Sequence, residues 1–476
     1  MWVPRVRILG PGISVSPHTV HWRSMSTLRI TRRAADRLRA GHLWVYRTDL
    51  EANQTDPTPG SLTTLTDSRN IPLGTAIYSS ASQIAARLVS RTPALTREQY
   101  LTDLRTRLDA ALALRRELAP ITATNNAHRL IFSEADNLPG IIADRYNDLV
   151  LLQLLTQGTA QDDVRAVVAT ALREALSPNA EPLTIWERPD PRIRELEQLA
   201  PPPDGPLFTT FDSIAPLGLS FRSAAEESAS RLEAAPTTTT FTLNNLRFSY
   251  DAAAGQKTGA FLDQRLNYAA AAAQVAASSR KGRALDICTY QGGFALHLAQ
   301  VCEQVTGIDA SRTALEAADR NLALNPHLTA ETNWIEADAF EYLRHLDQST
   351  KKPGAPLMRS STAHGWDVKN ANLFDAIVLD PPAFAKSKRA AEDALRGYKE
   401  LNLRALHLLA PGGTLITCSC SHHVSLEDFT AILAAAATDA NRRVQLLETR
   451  AAAPDHPEVL TLPETRYLKC LICRVD

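Results

Sequence analysis

Leu285-Asp286-Ile287-Cys288-Thr289-Tyr290-Gln291-Gly292-Gly293-Phe294 is the stretch that decides the fold of this 476-residue chain. It reads as a short buried strand, a tight turn with two contiguous glycines, and the start of a helix. Leu285 and Ile287 are apolar strand formers, and Gly292 and Gly293 carry no Cβ to hold a ligand off the backbone. The next strand-like run, Gln304-Val305-Thr306-Gly307-Ile308-Asp309, ends in an acid 23 positions after Asp286. Glycines for close approach, followed by a carboxylate for ribose hydroxyls, describe a nucleotide-binding βαβ half. The pyrophosphate fingerprint G-x-G-x-x-G is absent. The turn therefore suits a ligand with a ribose but no phosphate chain, and S-adenosylmethionine fits better than NAD.

From residue 281 onward apolar strands alternate with helices. The pattern predicts strands over 284–288, 304–309, 333–337, 374–379, 413–419, 442–449 and 466–474, and helices over 292–302, 312–324, 339–346, 391–409 and 425–438. Such alternation means an α/β fold, a mainly parallel, Rossmann-like sheet with helices on both faces. Ligands of such sheets sit at the carboxyl ends of the strands. The residues there are Thr289, Tyr290, Gly292 and Gly293 after the first strand, then Asp309, Asp338, Asp380-Pro381-Pro382, and finally Cys418-Ser419-Cys420-Ser421. Any single Asp among them reads equally well as a helix N-cap. Five strand ends carrying polar groups in register are hard to obtain by chance.

Two or three domains are expected at this length. Residues 1–25, basic and without acids, have the composition of a transit peptide, but we expect a tail that is disordered or precedes a true start at Met25. A small β-rich domain follows over 26–95, with Val45, Leu62, Leu65, Ile77, Ile84 and Val89 at strand-like positions between turn signals. Residues 96–250 read as a linker helix, opened by the capping-box spacing Thr96-Arg97-Glu98-Gln99, and a central α/β domain. Residues 222–240 read as a surface excursion and 348–372 as a loop insertion. The net charge of −1 exerts no global pull on nucleic acid, but the first fifty residues hold nine Arg against two acids, a local footprint for a polyanion or a solvated basic end. No apolar run approaches the ~20 residues of a membrane span.

Gly255-Gln256-Lys257-Thr258-Gly259 is not a nucleotide-triphosphate loop, because Gln256 separates Gly255 from Lys257. The start of the helix that follows it, Phe261-Leu262-Asp263-Gln264-Arg265, is placed to cover a ligand or is simply capped. The six cysteines form no disulfide framework, and we expect a reducing, cytoplasmic setting. Cys470 and Cys473 have metal-like spacing but lie in a strand-like run, where positions three apart face opposite ways, so no metal is expected. Cys420 lies past its strand end, where a thiol can act as a nucleophile.

Several motifs together are specific. They are Gly255 to Arg265, Cys288 to Phe294, Asp380-Pro-Pro-Ala-Phe384, Gly397-Tyr-Lys-Glu-Leu-Asn402 and Ser419-Cys-Ser421. With them go Ala453-Pro-Asp-His-Pro457, Tyr467-Leu-Lys469, Ile131 to Gly140 and Gly41-His-Leu-Trp-Val45. In these the chain resembles the bacterial large-subunit ribosomal RNA cytosine-5 methyltransferases over nearly its whole length. The resemblance implies a PUA RNA-binding domain at 26–95 and a class I S-adenosylmethionine-dependent methyltransferase domain at 251–476. It implies ribosomal RNA as partner, with neither metal nor membrane, and leaves room for a homodimer. It also implies roles. Gly292 and Gly293, with Thr289, Tyr290 and Gln264, approach the cofactor; Asp309 holds the ribose and Asp338 the adenine amino group. Asp380 sits beside the methyl and the target base, and Cys420 attacks C6 of cytosine. Pro382 stands where many RNA cytosine-5 methyltransferases carry a second cysteine, which leaves the proton-removing group unassigned, and Cys418 rivals Cys420. Two other readings stand beside this one. A guanine-N2 methyltransferase needs no nucleophile, and an RNA-binding assembly factor needs no catalysis.

Overall fold

The structure, a computed structural model, describes residues 26–188, 190–210, 236–252, 260–351, 373–384 and 391–476. The expected tail over 1–25, the Gly255–Gly259 stretch and residues 352–372 of the expected insertion lie outside the described residues.

The chain opens with β1 (Thr27–Arg29), α1 (Arg32–Arg39), β2 (Trp44–Tyr46), β3 (Leu62–Thr66), β4 (Pro72–Tyr78) and β5 (Ile84–Ser90). The five strands pair in the order β1-β3-β4-β5-β2, antiparallel except for β1 against β3. Leu28, Ile30, Val45, Leu65 and Tyr78 fill the core. Next comes α2 (Arg97–Leu118), opened by a capping box in which the Thr96 hydroxyl accepts from Gln99 N and the Gln99 side chain accepts from Thr96 N. Leu104, Leu108 and Leu112 share its buried face.

That face packs on a second sheet, built from β6 (Ala127–Phe132), β7 (Ile141–Tyr146), β8 (Leu149–Leu154), α3 (Asp162–Leu176), β9 (Thr184–Glu187), α4 (Pro191–Glu197) and β10 (Phe208–Thr209), in strand order β10-β9-β8-β7-β6. A two-stranded hairpin follows, β11 (Thr238–Leu243) and β12 (Leu246–Asp251). It corrects the expected excursion over 222–240. Thr238, Thr239 and Thr240 are β-branched and pair with Asp251, Tyr250 and Ser249, so they open a strand. The rest of that stretch, up to residue 235, lies outside the described residues.

The last layer comprises α5 (Arg265–Ala277), β13 (Arg283–Ile287), α6 (Gly293–Leu298), β14 (Gln304–Asp309), α7 (Arg312–Ala323), β15 (Glu331–Glu336), α8 (Ala339–Lys351), β16 (Phe374–Leu379), α9 (Ala391–Leu408), β17 (Leu409–Ser419), α10 (Leu426–Asp439), β18 (Val444–Arg450) and β19 (Lys469–Val475). The sheet order is β15-β14-β13-β16-β17-β19-β18. The first five strands run parallel and β19 runs antiparallel to both its neighbours. Ile377 and Leu379 face one core while Ala376 and Val378 face the other, which is why β16 reads as an unbroken apolar run. The helix expected over 292–302 ends at Leu298, because the chain tightens there: Gln300 N and Val301 N bond to carbonyls only three residues back.

The connection from β18 to β19 reaches back across the molecule. Asp455, fully buried, pairs with Arg265 at 2.8 Å and accepts from Arg129 N at 2.8 Å, while its carbonyl accepts from Arg115. Further along, Thr461 donates to Gly41 O, and Glu464 meets His42 at 3.3 Å. One connection thus ties all three layers together. Among the described residues no helix is long and apolar enough to cross a membrane.

Candidate active site

The turn after β13 is held by its own main chain. Cys288, Tyr290 and Gly292 all have positive φ, at 64°, 53° and 87°. Only glycine adopts that conformation freely, so the two side-chain-bearing residues are strained, as is common at functional sites. The strain is fixed by hydrogen bonds. Asp286 Oδ2 accepts from the Thr289 hydroxyl at 2.6 Å and from Ala295 N at 2.9 Å. Asp309, at the end of β14, accepts from Tyr290 N on one oxygen and Ser311 N on the other, both at 2.9 Å. Burial pushes the Asp286 carboxyl up to about 7, against its hydrogen bonds.

The two glycines differ in function. Gly292 supplies the positive φ that starts α6. At Gly293 a Cβ would lie 2.6 Å from the Tyr268 ring, so its missing side chain admits Tyr268. The expectation that both clear space for a ligand is narrowed accordingly. A small cavity beside the turn is lined by Phe261, Tyr268, Thr289, Tyr290, Gly293 and Asp380 among others. Asp286 Oδ1 and Gln291 Nε2 are buried without hydrogen-bond partners. A buried acceptor and a buried donor left over at a strand-end turn fit a ligand carrying both an ammonium and polar oxygens.

Asp338 is exposed, and one of its oxygens accepts from Phe340 N and Glu341 N at the start of α8. It therefore caps that helix, whatever else it contacts. Gln264 is buried and committed at both ends of its amide. Its oxygen accepts from Asn267 at 2.7 Å, and its nitrogen donates to Asp380 Oδ1 at 3.1 Å.

Asp380 follows β16, and Cys420 follows β17. The Cys420 thiol lies 3.9 Å from the Pro381 carbonyl, which brings the Asp-Pro-Pro turn and the cysteine together. Cys418 is fully buried inside β17, directly opposite Cys470 of β19, and only Cys420 of the pair is partly exposed. Burial, then the charges of Asp263 and Asp286, pushes Asp380 up to about 8. Burial, then the charge of Asp380, pushes the Cys420 thiol up to about 12. Lys469 opposes this; it is buried, with Nζ donating to Ser421 O at 2.7 Å and Tyr467 O at 2.8 Å. Burial lowers Lys469 to about 8. Beneath, Tyr398 of α9 bonds both flanking serines, Ser419 and Ser421, at 3.0 Å.

The structure thus gathers Thr289, Tyr290, Gly293 and Asp380 at one cavity, with Asp309 fixed against the same turn, and sets Cys420 beside Asp380. Cys470 and Cys473 pack into cores on opposite faces of the sheet, and among the described residues no cluster suits a metal ion. Sequence reasoning missed Asp263, Tyr398, Tyr467 and Lys469 as members of the site. A signal existed for Lys469, since an ionisable residue opens an otherwise apolar strand.

The class of protein follows from this geometry together with the comparisons. Residues 28–91 match the PUA-like domain family, and residues 184–351 match the S-adenosylmethionine-dependent methyltransferase family. A solved S-adenosylmethionine-dependent methyltransferase of Streptococcus mutans shares the fold, with a TM-score of 0.68 at 18% identity over 94% of this chain and 100% of that one. The ribosomal RNA large subunit methyltransferase I of Erwinia tasmaniensis is 32% identical over 91% of this chain and 95% of its own length. A ribosomal RNA large subunit methyltransferase of Deinococcus radiodurans is 31% identical over 94% of this chain and 97% of its own. The chain belongs to this family of S-adenosylmethionine-dependent methyltransferases.

Proposed function

We propose that the protein methylates C5 of a cytosine in large-subunit ribosomal RNA through a covalent adduct with Cys420. The relatives' names support the RNA, and the 3.9 Å approach of Cys420 Sγ to the Pro381 carbonyl carries the choice of base. An exocyclic amine has a lone pair of its own and needs no thiol beside the Asp-Pro-Pro turn. C5 of cytosine is not nucleophilic until a nucleophile adds at C6. S-adenosylmethionine, held by Asp309, Thr289, Tyr290 and the Gly292-Gly293 turn with Asp338 toward the adenine, supplies an electrophilic methyl group when bound.

The protein's own groups divide the remaining work. Cys420 adds to C6 after losing its proton, and Lys469 is the cation that favours the thiolate. Addition pushes electron density through C5 and C4 onto N3. Asp380, held neutral by burial near pH 8 and below, can donate a proton there. The target base must leave its stack to reach this depth. Residues 26–95 serve as the RNA-holding domain and 251–476 as the catalytic one.

One observation favours a guanine-N2 reaction instead, namely that burial holds the Cys420 thiol neutral in the free protein. The experiment that separates the readings uses unmodified large-subunit ribosomal RNA and labelled S-adenosylmethionine, followed by digestion to nucleosides. Labelled 5-methylcytidine is expected. Labelled N2-methylguanosine sinks the nucleophile, and no label on naked RNA or ribosomal particles favours a binding factor.

A further inference from the structure

Cytosine C5 carries a proton that must leave once the methyl group has joined it, and neither Pro381 nor Pro382 can accept it. A closed ring of contacts surrounds Cys420. The thiol faces Pro381 O at 3.9 Å, and Asp380, the preceding residue, accepts from Gln264 at 3.1 Å. Asp263 precedes Gln264, and its Oδ2 accepts from the Tyr467 hydroxyl at 2.5 Å. Tyr467 O accepts from Lys469 Nζ, and the same Nζ reaches Ser421 O, the residue after Cys420.

Each member of the ring has a definite proton inventory. Below about pH 8 Lys469 is mainly the ammonium, which has donors only, and the Tyr467 phenol spends its proton on Asp263. Asp380 carries the proton that N3 needs. Asp263 is the remaining carboxylate, half-buried and anchored through Ala453 N to its carbonyl at 2.8 Å. A carboxylate has about four lone-pair sites, so the Tyr467 bond leaves capacity to accept. Its charge is felt at both Asp380 and Cys420, behind the larger effect of burial.

We infer that Asp263 is the group that takes the C5 proton, oriented by the Tyr467 hydroxyl. This rests on the cytosine-5 reading. The step balances without a further reactant. The C5–H electron pair re-forms the C5–C6 double bond, the C6–S bond breaks with its pair returning to Cys420 sulfur, the C5 proton goes to the Asp263 carboxylate, and N3 returns its proton to Asp380.

The test uses large-subunit ribosomal RNA carrying tritium at cytosine C5, with methyl incorporation and tritium release measured together. The wild-type protein should release one tritium per methyl. Asp263→Asn keeps an oxygen for Tyr467 but cannot take the proton. It should release tritium at least 100-fold more slowly than wild type while a methylated RNA–protein adduct persists on denaturing gels. Release in step with methylation in this variant overturns the inference. So does retention of tritium by His422→Ala, since His422 packs on the Tyr467 ring at 5.5 Å and is the rival acceptor. Should the Asn variant fail to fold or to bind S-adenosylmethionine, Tyr467→Phe carries the test. It should slow release several-fold relative to methylation, and an unchanged ratio overturns the assignment. If the wild-type protein releases no tritium and forms no adduct with 5-fluorocytosine RNA, the cytosine-5 reading itself fails, an outcome distinct from failure of Asp263 alone.

Discussion

The turn after β13 takes Thr289, Tyr290, Gly292 and Gly293 from one run of residues, whereas the surface around Cys420 draws Gln264, Asp380, Cys420, Tyr467 and Lys469 from separate segments. The first is held largely by main-chain groups: Tyr290 N and Ser311 N on Asp309, and Ala295 N on Asp286. The second is held by side-chain bonds between segments that meet only once the sheet and the β18–β19 connection are complete. The difference teaches that cofactor binding and base chemistry should be separable by mutation. Cys420→Ala is the hardest test. It should lower methyl transfer by about 10,000-fold or more and leave S-adenosylmethionine affinity, read by calorimetry, unchanged. Loss of cofactor binding in that variant would merge the two halves.

Asp380 is where they meet, since it lines the cavity at the turn and adjoins Pro381. Asp380→Asn should lower activity by about 100- to 10,000-fold while stabilising the fold. The group's folded-state value, about 8, lies above the ordinary carboxylate value, so the folded protein holds the proton more tightly than the unfolded chain. That contribution is complete below about pH 4 and is lost as pH rises through about 8. The Asn variant should therefore melt several degrees above wild type at pH 8 and match it near pH 4, by scanning calorimetry. Asp286, pushed up to about 7, contributes in the same sense to the wild-type decline.

This contrast also explains what could be read in advance. The parallel sheet was legible because β13 and β16 are buried on both faces and their apolar runs are short and bounded. The turn was legible because its residues are consecutive. The pairing of Asp263 with Tyr467 was not, because nothing in either local sequence records a contact made across 204 positions, whereas Lys469 left a trace as an ionisable residue opening an otherwise apolar strand. Gly293 lines the cavity, yet the place its Cβ would take is filled by the Tyr268 ring, and an empty Cβ position does not say what will fill it. The threonines opening β11 looked like a polar excursion because their partners, in β12, lay beyond a stretch already counted as loop.

Lys469→Met offers a finer cut. The Lys469 charge draws the Cys420 thiol down against the effect of burial, and its two hydrogen bonds go to backbone carbonyls. Removing the charge should slow methyl transfer about tenfold, the effect of roughly one unit on a thiol, with cofactor affinity untouched. The check is alkylation of Cys420 against pH, whose midpoint should move to higher pH. A midpoint that stays fixed would mean Lys469 only holds Ser421 and Tyr467 in place.

The smallest effect belongs to Asp338, where two roles sit on one carboxylate. It accepts from Phe340 N and Glu341 N as the cap of α8, and it is the residue proposed to meet the adenine amino group. Asparagine caps a helix about as well as aspartate, and alanine loses about 1 kcal/mol. Asp338→Asn should leave the melting temperature close to wild type and weaken S-adenosylmethionine binding by less than about tenfold, the worth of roughly one hydrogen bond. Asp338→Ala should weaken binding as much and also melt lower. Equal binding in wild type and both variants would confine Asp338 to the helix, because a cap substitution changes stability without touching a ligand that the residue never meets.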